Sequence, residues 1–102
     1  MIHVVAILTA KPGQLDAVLD AFRANMPAVH AEQGCIEYTP VVDAADMGRI
    51  QTKLGEDTFM VIEKWETAEA LKAHAGSPHM AAYAAATKEM IASRVVHVLS
   101  PA

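Results

Sequence analysis

The first predicted strand of this chain needs protein on both of its faces. Residues 2–9 are dominated by Ile, Val and Leu, and apolar side chains fall at both alternating positions. A strand that is apolar on both faces lies in the interior of a sheet rather than at its edge. We therefore predict a sheet in which residues 2–9 form a central strand.

An amphipathic helix follows this strand. Lys11-Pro12-Gly13 interrupts the strand pattern, and apolar residues then recur on one helical face. These are Leu15, Val18, Leu19, Phe22 and Met26. Pro27 cannot donate a helix hydrogen bond, so it predicts a kink or a restart, with the helical tendency resuming through residues 29–31. Gly34 is the predicted end of this segment.

Two further strands are predicted in the middle of the chain. Residues 35–42 form one of them, broken or turned near Pro40, and residues 58–65 form the other. The stretch from Asp43 to Asp57 reads as a long hairpin connection, with a possible short strand at residues 49–52. Because side chains alternate along a strand, Glu63 and Trp65 are predicted to share one face.

The remaining residues predict two helical segments and a last strand. Thr67 can cap a helix that ends at Gly76, and Ser77-Pro78 is a second start signal. Apolar residues at helical spacing continue to Ile91, and residues 95–99 form the final strand.

The order strand, helix, strand, strand, helix, strand indicates an α+β fold of the ferredoxin-like βαββαβ type with an antiparallel sheet. Its 102 residues predict a single domain spanning 1–102. Helices should cover one sheet face. The bare apolar face, in a chain that is 53% hydrophobic, predicts a homodimer in which a second copy of the same sheet covers it.

Composition excludes several classes of partner. The net charge is −4 and no basic run is present, so we expect no nucleic-acid partner. No apolar run is long enough to cross a membrane, and the apolar start lacks the features of a signal peptide. The single Cys35 leaves no internal disulfide, and together these features predict a cytoplasmic protein.

Several stretches carry a resemblance to a known family. Residues 59–67 form an apolar strand with a Glu-x-Trp end, residues 70–74 form a helix ending in Ala-His, and residues 77–79 form a short Ser-x-His link. With residues 11–13 and 34–38, these features are similar to the antibiotic biosynthesis monooxygenase family over nearly the whole chain.

The resemblance implies a dimeric ferredoxin-like barrel and a function. Many such proteins oxidise quinols or polycyclic phenols with molecular oxygen, so it implies a small aromatic substrate and no cofactor, whether metal or flavin. Relatives that degrade haem need residues that this chain lacks: its only Asn is Asn25, its only Trp is Trp65, and Ala84 stands where the haem-ligating histidine would be. We therefore do not expect haem degradation.

Two residues are the predicted catalytic groups. His74 is the candidate base, because an unperturbed imidazole titrates near neutral pH. The alternative is a histidine that only stabilises the end of its helix. Glu63 lies on an apolar strand, where burial would raise its pKa and fit it for proton transfer. It could instead pair with a cation such as Arg94 on a neighbouring strand, or lie at a dimer contact.

Four residues are the predicted substrate-binding groups: Trp65, His79, Tyr83 and Tyr38. Trp65 could stack on a ring substrate, or it could fill the end of the barrel as a packing residue. The two tyrosines could equally be packing residues. His79 follows His74 by five residues, and no third ligand is evident nearby, so we expect His79 at a rim and no metal site.

Two other functions stay open. An isomerase of a small polar metabolite would need interior cations, for which Lys64 and Arg94 are the main candidates. A dimeric binding or stress-associated protein would need no turnover at all.

Overall fold

The computed structural model describes residues 1–102 and has an α+β fold of the ferredoxin type, as predicted. Its four strands and three helices are β1 (Ile2–Ala10), α1 (Leu15–His30), β2 (Cys35–Val41), β3 (Thr58–Trp65), α2 (Ala68–Ala75), α3 (Pro78–Thr87) and β4 (Ile91–Leu99). Short 3₁₀ turns span Gly48–Ile50 and Lys88–Met90. None of the helices combines the length and the apolar character needed to cross a bilayer.

The sheet confirms the central position of β1. Its strand order is β2-β3-β1-β4, and every neighbouring pair is antiparallel. One face carries Val4, Ala6 and Leu8 of β1 beside Val61 and Glu63 of β3. This is the buried face, and it packs against the helices.

The opposite face of the sheet has no layer over it. Val5, Ile7 and Ile62 lie on this face and remain partly accessible. Val95 is 49% exposed, and β4 is accessible along nearly its whole length. The chain alone therefore leaves an apolar sheet face in contact with solvent.

The secondary structure differs from the sequence prediction at four points. Helix α1 is continuous through Pro27, because the residues beyond it are held by packing: Val29 is fully buried. The short strand expected at residues 49–52 is wrong, since Gly48–Ile50 forms a 3₁₀ turn. Strand β4 begins at Ile91, four residues before its predicted start. Strand β2 also runs through Pro40 without the predicted break.

The connection formed by residues 43–57 is held together at its base by hydrogen bonds to Asp43. Both carboxylate oxygens of Asp43 accept backbone N–H groups, from Leu54 at 2.8 Å and from Gly55 at 3.0 Å. These bonds hold the pKa of Asp43 below its usual value. The connection is thus an ordered loop joined at its base.

Candidate active site

A cavity of about 1020 Å³ lies between the buried face of the sheet and helices α2 and α3. This volume is at the upper end of the range for small-molecule sites. Eighteen of its 24 lining residues are hydrophobic, and the other six are Glu63, Lys72, His74, Thr87, Lys88 and Arg94. An apolar chamber with few polar groups suits an aromatic ring.

His74 lies at the end of α2 and lines this cavity. Its side chain is buried, and its Nδ1 lies 2.7 Å from Oε2 of Glu32. The ring rests against Trp65, with the two ring centroids 4.6 Å apart. The Ser77 hydroxyl and backbone N–H both donate to the His74 carbonyl oxygen. Glu32 and the Trp65 ring therefore hold the imidazole in orientation, and the Ser77 bonds hold the end of α2.

The pairing with Glu32 determines which nitrogen of His74 can act as a base. A carboxylate beside Nδ1 accepts the Nδ1 proton, and the neutral ring then carries its free lone pair on Nε2. The Nε2 atom has no hydrogen-bond partner within the chain. His74 thus has the arrangement of a general base held by a carboxylate, which is the logic of nucleophile-base-carboxylate triads.

Sequence reasoning missed Glu32. It lies in the turn between α1 and β2, far from the Glu-x-Trp and Ala-His motifs in sequence. Gly34, with φ of +83°, turns the chain there, and the N–H of Glu66 donates to the Gly34 carbonyl oxygen at 2.8 Å. This bond ties the turn to the start of the α2 segment. No periodic or spacing signal in the sequence marks Glu32 as part of the site.

Glu63 and Trp65 share the buried face, as predicted. The indole Nε1 of Trp65 donates to Oε1 of Glu63 at 3.0 Å. Burial raises the pKa of Glu63, and the Trp65 hydrogen bond and the nearby His74 and Arg94 only partly oppose this rise. The expected ion pair with Arg94 does not form, because β1 lies between their strands.

Trp65 does not line the cavity. It is fully buried behind His74, so the structure favours its role in packing over direct stacking on a substrate. Tyr38 is buried and lines the cavity. Its ring stacks on Phe22 with centroids 4.9 Å apart and meets the edge of His74 at 5.4 Å. Burial raises the pKa of Tyr38 far above its usual value, so the phenol stays neutral.

Tyr83 lines the cavity and carries a buried polar atom without a partner. Its hydroxyl oxygen is the one buried side-chain nitrogen or oxygen atom without a hydrogen-bond partner in the chain. Such a group costs about 1–3 kcal/mol when nothing bonds to it, so its presence favours a ligand that does. Burial raises the pKa of Tyr83 against an opposing effect of Arg94.

His79 lies outside the cavity wall, with its side chain 28% exposed. Its Nε2 lies 3.2 Å from Oε2 of Glu32 and 3.2 Å from the hydroxyl of Ser77. From the sequence we expected no third metal ligand near the two histidines. This expectation is wrong, since Glu32 lies against both of them.

The two cations considered for an isomerase lie apart. Lys64 pairs with Glu37 at 3.2 Å, and Arg94 lines the cavity.

Comparisons with known proteins identify the family. The family model described as antibiotic biosynthesis monooxygenase matches residues 1–86. The chain is 38% identical to "Probable quinol monooxygenase YgiN" of Escherichia coli K12 over 103 aligned positions, which cover 99% of this chain and 98% of that protein.

Solved structures share the fold. Rv0793 from Mycobacterium tuberculosis is 25% identical, with a TM-score of 0.81 over 99% of this chain and 94% of its own. PA3566 from Pseudomonas aeruginosa is 24% identical, with a TM-score of 0.81 over 99% of this chain and 93% of its own.

Proposed function

Because this chain belongs to the antibiotic biosynthesis monooxygenase family, we propose that it oxidises a quinol or polyphenol with molecular oxygen. The observation that carries the proposal is the buried His74–Glu32 pair at the wall of a large apolar cavity. The "quinol monooxygenase" name of the 38% identical relative supports the substrate class.

The first step is removal of a phenolic proton. The Nε2 atom of His74 takes this proton, while Glu32 holds the Nδ1 proton and stabilises the imidazolium that forms. The resulting phenolate is electron-rich enough to reduce oxygen directly. An apolar cavity favours this chemistry, because it admits oxygen and keeps water from the reactive anion.

The overall reaction balances without a resident redox group. The diol and oxygen yield a hydroxylated quinone and water. One oxygen atom enters a ring carbon and the other leaves as water, and the diol supplies all four electrons. No metal or flavin is needed for this stoichiometry.

Other cavity residues have supporting roles in the proposal. Glu63, whose raised pKa favours its protonated form, can return a proton to the reduced oxygen atom that leaves as water. The Tyr83 hydroxyl and the Arg94 guanidinium can bind a second hydroxyl or carbonyl group of the ring. Tyr38 and Trp65 hold His74 in place through ring contacts, and His79 supports Glu32.

We include a homodimer in the proposal. The uncovered apolar face of the sheet supports it, since a second copy of the same face would remove that surface from water. The single Cys35 supports the cytoplasmic location predicted from the sequence.

The test is oxygen uptake with isotope-labelled oxygen against a panel of hydroquinones and polycyclic phenols. We expect one labelled atom in the quinone product and one in water. His74→Ala should lose about 10²–10⁴-fold of the rate, the usual contribution of a general base. Arg23→Ala is the control, because Arg23 is exposed on α1, away from both the cavity and the uncovered sheet face.

Two outcomes would overturn the proposal. The absence of enzyme-dependent uptake above autoxidation across the panel would reject the reaction. A His74→Ala protein that keeps the wild-type rate would reject the assignment of the base.

A further inference from the structure

We infer that Glu32, His74 and His79 form a binding site for a divalent first-row transition-metal ion, behind the substrate cavity. The three residues come from different segments: the turn after α1, the end of α2 and the first turn of α3. One ligand atom from each lies within 4.8 Å of the other two. Of the three, only His74 also lines the cavity.

The donor set suits such an ion. Two imidazole nitrogens and one carboxylate oxygen form a ligand set that proteins use for Zn²⁺, and it leaves a fourth position for water. Hard cations such as Mg²⁺ and Ca²⁺ prefer sites built only from oxygen atoms. The presence of two imidazoles therefore selects for transition metals.

The spacing is close to what zinc needs. With metal–ligand bonds of about 2.0–2.1 Å in tetrahedral geometry, neighbouring ligand atoms lie about 3.3 Å apart. Oε2 of Glu32 lies 3.2 Å from Nε2 of His79 and 2.7 Å from Nδ1 of His74. Binding an ion would open the Glu32–His74 pair by about half an ångström and draw the two imidazole nitrogens, which lie within 4.8 Å of each other, closer together.

The cluster is both anchored and reachable. Glu32 is 14% exposed in its side chain and His74 is 6% exposed, so two of the ligands are already held away from water. His79 is 28% exposed and gives an ion a path from solvent. The hydroxyl of Ser77, 3.2 Å from Nε2 of His79, is a ready hydrogen-bond partner for a metal-bound water.

Metal binding would have a consequence that rests on the proposed function. An ion on Nδ1 of His74 displaces the proton that Glu32 holds there, and the neutral ring then carries its only proton on Nε2. The nitrogen that faces substrate becomes a donor and can no longer accept a proton. Occupancy of this site would therefore inhibit the oxygenase reaction.

The binding claim is tested without substrate. Equilibrium dialysis of wild-type protein against Zn²⁺ should give one ion per chain. Glu32→Gln and His79→Ala should each weaken binding by more than about tenfold, since even an outer-shell partner contributes that much. Glu69→Gln should bind like the wild type, because Glu69 is an exposed carboxylate of α2 that lies outside the cluster.

A second measurement uses only the wild-type protein and so does not depend on folding of the variants. Co²⁺ should give visible absorption of nitrogen and oxygen ligation with no thiolate charge-transfer band. A thiolate band would assign the ion to Cys35 instead of the cluster. That result, or the absence of stoichiometric binding, would overturn the inference.

Inhibition is measured separately. If the oxygenase is active, Zn²⁺ should inhibit it at the concentrations that saturate dialysis. A protein that binds one Zn²⁺ but shows no oxygen uptake under any condition would refute the proposed function and leave the metal site supported.

Discussion

Gly34 connects the turn that carries Glu32 to the helix that carries His74, so its replacement tests how the site is assembled. A Cβ atom on residue 34 would lie 2.6 Å from the Cβ of Ala70, far inside van der Waals contact. Residue 34 also has φ of +83°, which costs a side-chain-bearing residue about 1–2 kcal/mol. Gly34→Ala should therefore lower the free energy of unfolding in two ways: through its unfavourable backbone conformation and through the steric clash with Ala70.

Gly13→Ala is a matched control for this change. Gly13 has φ of +79°, and a Cβ there would meet no atom within 4 Å. Its replacement carries the backbone cost alone. The difference between the two variants isolates the clash, for which overpacking predicts about 1–3 kcal/mol. In a domain of this size that corresponds to a melting temperature roughly 5–20 °C lower for Gly34→Ala than for Gly13→Ala.

The assay is urea unfolding and thermal melting of both variants and of the pair Gly34→Ala with Ala70→Gly. Ala70→Gly alone costs about 1 kcal/mol of helix propensity but removes the obstructing methyl group. The double variant should be more stable than the sum of the single effects by about 1 kcal/mol or more. Equal losses in Gly34→Ala and Gly13→Ala, or strict additivity in the pair, would refute the reasoning.

Four further predictions concern the cavity and the assembly. Glu32→Gln should lower kcat about tenfold or more with little change in KM, because it removes a charge-assisted hydrogen bond to His74; an unchanged kcat in oxygen-uptake kinetics would contradict this. The raised pKa of Glu63 means that the folded state binds this proton more tightly than the unfolded state does. Stability from this group is fully present below the ordinary glutamate pKa and is lost as pH rises through the raised value. Urea unfolding across pH should show this loss in the wild type and not in Glu63→Gln. Tyr83→Phe should leave the unfolding free energy unchanged or higher, because it removes an unpaired hydroxyl, yet raise KM about 2–10-fold for hydroxylated rings; a lower unfolding free energy would contradict it. Light scattering at micromolar concentration should give twice 10.9 kDa, whereas a monomer would leave the apolar sheet face without a cover.

Much of the fold could be predicted because its signals are local. The apolar run of residues 2–9 identified the central strand, and the helical stripe from Leu15 to Met26 identified α1. The restart allowed at Pro27 and the strand at residues 49–52 were wrong, because local preference and final structure differ there. At Pro27 the burial of Val29 outweighs a missing hydrogen bond.

The sequence predicted some residues of the candidate site and missed others. Glu63 stands out because it interrupts an apolar strand, and His74 because it ends the Ala-His motif of the family; both line the cavity. Glu32 has no such signal, because it lies in a polar turn and reaches His74 only through tertiary packing across 42 residues. The same long-range contact creates the three-residue cluster with His79, which sequence spacing alone argued against.

The most direct test of the central claim is the ionisation state of a bound phenol in the absence of oxygen. A chromogenic nitrocatechol would be bound anaerobically at a pH below that at which the free ligand ionises. If His74 is the base, the wild-type complex should show the absorption of the phenolate and the His74→Ala complex that of the neutral phenol. Identical spectra for the two complexes, at matched saturation, would contradict the account.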